Sequence, residues 1–173
     1  MRHRIATALI LIAGLALMAA GVRFYMQRDA ENRLLPGEDV VISDLRDPLP
    51  GNASLACPTG YCRASAAIIS PVFAVPVTRL YEAWRQVIAE EPRVTVLAAD
   101  GNTHRVVALQ RSALFQFPDI VIAEFVPLAP DRSSLAVYSR ARYGQSDFGV
   151  NRGRIDRWLR QLETFVPNAS SGQ

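Results

Sequence analysis

The sequence predicts an α+β fold: a four-stranded antiparallel meander sheet packed by two helices and preceded by an N-terminal transmembrane helix. Three observations predict it. An apolar run fills residues 5–22, two later stretches carry apolar residues at helical spacing, and four short β-rich stretches joined by tight turns lie between those two.

The first element begins after Met1-Arg2-His3-Arg4. Residues Ile5 to Val22 carry no charge, and as a helix they extend about 27 Å, close to the hydrocarbon thickness of a bilayer. Phe24, Tyr25 and Met26 continue the run into the interface, where aromatic rings are favoured. Arginines at the extreme N-terminus favour leaving that end in the cytoplasm. The expectation is a single-pass protein of the cytoplasmic membrane with its domain in the periplasm. A second reading stands beside it: Ala19, Ala20 and Gly21 suit a signal peptidase, and the domain is then cleaved and secreted to the periplasm. Residues 1–28 are thus anchor or signal, 29–56 a Pro/Gly-rich spacer, 57–167 a single α+β domain and 168–173 a flexible tail. Within the spacer, Asp39 to Ile42 reads as a short edge strand.

Charge supports one neutral domain. The net charge is +3 and every basic residue is arginine. Arg2, Arg4, Arg23 and Arg28 flank the first apolar run, opposed by Asp29 alone. From Ala30 onward arginines and acids are equal, fifteen each. The basic footprint of a nucleic-acid binder is therefore missing, and no nucleic-acid partner is expected.

Cys57 and Cys62 enclose Pro58-Thr59-Gly60-Tyr61, a turn-forming stretch that brings them together. In an oxidising compartment they form a disulfide; in a reducing one they stay free thiols. Four intervening residues do not match a thioredoxin-type pair, and two cysteines without nearby histidine are too few for structural zinc.

In the domain, Thr78 is placed to cap a helix that runs to about Glu91, with Leu80, Tyr81, Trp84, Val87 and Ile88 on one face. Pro92 stops it. Val94 to Leu97 and Arg105 to Leu109 form a hairpin about Asp100-Gly101-Asn102. Ile120 to Val126 is a third strand, and Pro130 to Ser133 turns into a fourth, Leu135 to Arg142. Asp147 or Asn151 opens the last helix, whose apolar face is Ile155, Trp158, Leu159, Leu162 and Val166. The two helices must cover one face of the sheet, which makes Trp84 and Trp158 core residues.

Familiar catalytic constellations are absent. The two histidines, His3 and His104, have no nucleophile or metal set around them in sequence, and no phosphate-cradling loop or nucleophile elbow is present. Neither cofactor nor metal is expected, and the chain reads as a non-enzyme. One stretch is unusual: Ser139 to Arg154 packs four arginines, an Asp, an Asn and three glycines around a strand-to-helix junction. Arg140 and Arg142 share a strand face. Asp147 and Asn151 suit capping, and Gly144 and Gly149 permit angles closed to other residues. Arg152, Arg154 and, from neighbouring strands, Arg111 and Asp119 complete the candidate network. It reads either as an ordered corner, with Asp147 paired to an arginine, or as a site for carboxylate or phosphate.

The run from Ser139 to Arg154 resembles the C-terminal signature of the bacterial and plastid domain of unknown function 1499. The resemblance continues through Arg111-Ser112, Phe117-Pro118-Asp119 and the helix with Tyr81 and Trp84, covering Cys57 to Phe165. It implies a membrane-anchored or exported protein and carries no activity with it. The functional expectation is an envelope domain that binds a protein partner or anionic ligand near the membrane. The alternatives are a carrier of a lipid or other apolar ligand between sheet and helices, and an enzyme that uses neither His nor Cys.

Overall fold

The computed structural model describes residues 2–32 and 40–169. Helix α1 spans Arg2–Asn32. Among the described residues no helix is long and apolar enough to cross a membrane, so the expected transmembrane helix is not found. The last residues of the tail, 170–173, and residues 33–39 of the spacer lie outside the described residues.

The sheet has six strands, not four. The expected meander is present as β3 (Val94–Asp100), β4 (Arg105–Arg111), β5 (Pro118–Ala129) and β6 (Arg132–Ala141), each antiparallel to the next. Two strands from earlier in the chain extend it: β1 (Ala53–Cys57) runs antiparallel to β6, and β2 (Ile68–Ile69) lies parallel to β1. The order is β2-β1-β6-β5-β4-β3, a mixed sheet. Strand β1 starts inside the expected spacer and runs across its boundary to Cys57; pairing with β6, Ala53 to Arg140 and Ala56 to Val137, supplies its ladder. Val40 to Ile42 is not a strand. Residues Ile42–Asp44 form a 3₁₀ turn instead.

Both helices pack on one face. Helix α2 (Val77–Glu90) buries Leu80, Tyr81, Ala83, Trp84, Val87 and Ile88, and α3 (Val150–Phe165) buries Ile155, Trp158, Leu159 and Leu162. Against them the sheet turns Val106, Val121, Ala123, Phe125, Leu135 and Val137. Trp84 and Trp158 meet edge-on at 5.7 Å, and Trp84 meets Phe125 at 6.2 Å. Both tryptophans are core residues, as expected, and the space between sheet and helices is filled by these rings. Thr78 is not the cap of α2. The helix begins one residue earlier, behind Pro76, whose φ of −56° already suits a first turn.

The opposite face is covered too. Leu55, Cys57, Val107, Leu109, Ile120, Ile122, Ala136 and Tyr138 form a second core, closed by Val40, Ile42, Leu45, Leu49 and Tyr61. Glu124 pins this cover. Its carboxylate accepts from the Ile42 amide (3.1 Å) and the Tyr61 hydroxyl (3.4 Å) and faces Arg105, which donates to the Val40 carbonyl (2.8 Å). The Cys57–Cys62 disulfide is formed, with Cα atoms 6.2 Å apart. It ties Tyr61 and the cover to the end of β1.

Candidate functional site

At the end of the sheet beyond the tryptophans, the helix-side face becomes polar while staying buried. Arg154 enters from the first turns of α3 and is only 5% exposed. Its guanidinium is engaged at all three nitrogens: Nη2 donates to Asp119 Oδ2 (2.5 Å), Nε to Gln110 Oε1 (2.5 Å), and Nη1 to Ser139 Oγ (2.8 Å) and to Asn151 Oδ1. Ser139 donates to Asn151 Oδ1 (2.6 Å), whose amide nitrogen donates to the Asn52 carbonyl (3.0 Å). Asn52 in turn donates to the carbonyls of Ala141 and Gly144. Strands β4, β5 and β6, helix α3 and the loop before β1 are thus joined through one arginine. A buried charge of this kind is tolerable only when it is paired and hydrogen-bonded.

The loop between β6 and α3 is shaped by two features. Asp147 accepts from the Gly149 amide (3.1 Å) and the Asn151 amide (2.7 Å), satisfying donors that α3 leaves orphaned. Gly149, at φ 83°, takes a left-handed angle that side chains resist. Asp147 is engaged by the Gly149 and Asn151 amides, and the carboxylate that pairs with Arg154 is Asp119. Asn151 does not cap either, since it lies in the first turn of α3 with its side chain buried in the network.

Two clefts flank the Asp119–Arg154 pair. One, about 410 Å³, is lined by Phe117, Tyr143, Phe148 and Val150, with Asp119 and Asp147 among its walls. Phe117 stacks on Phe115 at 5.5 Å and meets Tyr143 at 6.2 Å. The other, about 490 Å³, is lined by Arg93, Arg111, Arg154 and Arg157, with Glu91 as its one acid. Ser112 and Val150 line both. Arg157 pairs with Glu91 at 3.0 Å, and Arg93 donates to the Arg111 carbonyl at 3.0 Å.

Burial pushes the Asp119 carboxyl above the usual carboxylate range; Arg154 pulls it down less, and the Asp147 charge adds to the rise. Burial also acts to raise Asp147 and Glu91, but their donors outweigh it. The amides of Asn151 and Gly149 hold Asp147 low, and Arg157, Trp158 and Gln161 hold Glu91 low.

Of the residues singled out in sequence, Asp119, Asn151 and Arg154 meet directly, Asp147 organises the adjoining loop and Arg111 lines the arginine cleft. Arg142 follows β6 with its guanidinium 5.8 Å from the centre of the Tyr143 ring. Arg152 is exposed on α3. Arg140 stands apart, alternating with Ser139 so that it lies beside Tyr138 across the sheet from Arg154. Gln110, Glu91, Arg93, Arg157 and Asn52 were not legible as site residues. Gln110 had a weak signal, a polar residue continuing the inward period of β4; Asn52 had none, being 99 residues from its partner Asn151. Among the described residues no cluster of three or more His, Cys, Asp or Glu could hold a metal ion.

The stretch that carries this network is also the stretch that has relatives. A family described as a protein of unknown function, DUF1499, matches residues 56–162. The chain belongs to this family. The DUF1499 region contains every member of the Arg154 network except Asn52, along with both clefts. No curated protein matches the sequence. Among solved structures, the chain is similar to the di-domain ARO/CYC BexL from the BE-7585A biosynthetic pathway, at 12% identity over 59% of this chain and 45% of that one, with a TM-score of 0.42. The di-domain ARO/CYC StfQ from the steffimycin pathway matches at 12% identity over 56% and 42%, with a TM-score of 0.41. The Zhui aromatase/cyclase from Streptomyces sp. R1128 matches at 13% identity over 56% and 81%, with a TM-score of 0.33. The chain spans less than half the length of the two di-domain proteins.

Proposed function

We propose that this DUF1499 protein is a non-enzymatic binding domain of the cell envelope that holds an anionic ligand in the arginine-lined cleft. One observation carries the reading: Arg93, Arg111, Arg154 and Arg157 converge on a single cleft against one acid, Glu91, in a domain that is otherwise neutral. Guanidinium forks match the planar oxygens of carboxylate and phosphate. Arg154, held by its four partners and paired with Asp119, forms the fixed inner wall; Arg93, Arg111 and Arg157 give the cleft its rim.

Two features support the address. The disulfide belongs to an oxidising compartment. Leu9, Ile10, Leu11 and Ile12, which together point to every side of α1, are 61–71% exposed; a helix apolar all round is stable only in apolar surroundings. The helix serves as a tether to the membrane, or as a signal removed on export.

Calorimetric titration of the purified chain with inorganic phosphate tests the reading. Binding that weakens about tenfold in Arg157→Ala and again in Arg93→Ala, and that falls with added salt, is the expected result. Titrations that show no heat at millimolar phosphate, or an affinity indifferent to both changes, would overturn it.

A further inference from the structure

The Asp119–Arg154 pair divides the two clefts with its charges segregated. Asp119 lines the aromatic cleft and Arg154 the arginine cleft, and the two side chains touch at 2.5 Å. Arg154 engages only one carboxylate oxygen of Asp119, Oδ2. The wall between the clefts is therefore polarised, negative on the aromatic side and positive on the other.

The aromatic side strengthens that sign. Aromatic faces are electrostatically negative and attract organic cations. Phe117, Tyr143 and Phe148 supply three rings, Tyr143 with the Arg142 guanidinium 5.8 Å from its centre, and Asp147 adds a second carboxylate. A purely apolar occupant would bury Asp119 further and add no charge to that of Arg154, at a cost. A cationic group would answer both the rings and the carboxylates. Ser112 and Val150 are common to the two clefts, which therefore adjoin along these residues.

We infer that the aromatic cleft receives the cationic end of the same ligand whose anionic end lies among the arginines. The ligand is a compact zwitterion, an ammonium and a phosphate separated by a few bonds. This deepens the anion-binding reading and rests on it. Such a zwitterion is found as a lipid headgroup or as a free solute.

The test compares three probes on the full-length chain: inorganic phosphate, phosphocholine and 3,3-dimethylbutyl phosphate, in which carbon replaces nitrogen and removes the charge at nearly constant shape. Phosphocholine should bind tightest, about two- to five-fold better than its carbon analogue. Phe148→Leu, which keeps an apolar group and removes a ring from a highly exposed position (96%), should erase most of that preference. If the carbon analogue binds as well as phosphocholine or better, the cleft takes an apolar group and the inference falls while the anion site stands. If none of the three phosphates binds, the anion site itself falls. Flotation with phosphatidylcholine vesicles, set against binding of free phosphocholine, then separates headgroup from solute; either supports the zwitterion.

Discussion

Arg154 and Asp119, 35 residues apart in the chain, form a 2.5 Å ion pair with side chains only 5% and 11% exposed. Each is buried because the other is. Removing one partner of such a pair leaves an unmatched charge in low dielectric, at a cost of about 3–5 kcal/mol. Arg154→Ala also strips donors from Gln110, Ser139 and Asn151. We predict a loss of that size in chemical denaturation, with Arg154→Lys falling between alanine and the parent, because an ammonium keeps the charge but not the fork. A change under about 1 kcal/mol for alanine would contradict the network as described.

Glu124 is the corresponding pin on the other face. Replacing it with Ala leaves the Ile42 amide and the Arg105 guanidinium without their carboxylate. The expected cost is about 1–3 kcal/mol, concentrated in residues 40–49. Hydrogen exchange at Ile42 reads it directly: the amide should lose protection in Glu124→Ala, and unchanged protection would mean the cover is held by apolar contacts alone.

The disulfide closes a loop with a sequence separation of only 5. A loop this short constrains the unfolded chain weakly, so its loss should cost less than about 3 kcal/mol. The double variant Cys57→Ser, Cys62→Ser should therefore remain folded, with a lowered Tm and greater exchange near Tyr61. Global unfolding on reduction would show that the crosslink holds more than the local cover.

Acid stability should depend on Glu91. Burial works to raise its carboxyl, but Arg157, Trp158 and Gln161 prevail and hold it below the usual range. A group whose folded pKa is depressed contributes stability above its unfolded value, about 4.3 for glutamate, and loses that contribution as pH falls through the lower folded value. Glu91→Gln should thus lose less stability than the parent between pH 7 and pH 3. Equal losses in urea melts at the two pH values would refute the assignment.

The helical faces and the meander were readable because their signals are local. Leu80, Tyr81, Trp84, Val87 and Ile88 recur at 3.6-residue spacing, and α2 buries them all. Short turns likewise forced β3 to β6 to be antiparallel neighbours. The second covered face had a signal that a one-sided sheet does not explain. Val106 to Leu109, Ile120 to Ala123 and Leu135 to Tyr138 are continuous apolar runs, which strands show when both faces are buried. The cover itself, drawn from residues 40–66 outside β1, is broken by Pro48, Pro50, Gly51, Pro58 and Gly60 and announces no structure of its own. The arginine-rich corner was half legible: residue types marked it, but strand alternation sends Arg140 and Ser139 to opposite faces, and only Ser139 reaches Arg154.

The sequence by itself determined the periodic elements, the neutrality of the domain and the residue types gathered at the junction, because these follow from backbone geometry and composition. The tertiary structure alone decided that Asp119 meets Arg154, that Asn52 closes the network, and that two clefts of different character share a wall. The physical reason is range. A side chain's place on a helix or strand is set within a few residues, whereas its hydrogen-bond partner is set by which distant elements the core brings together.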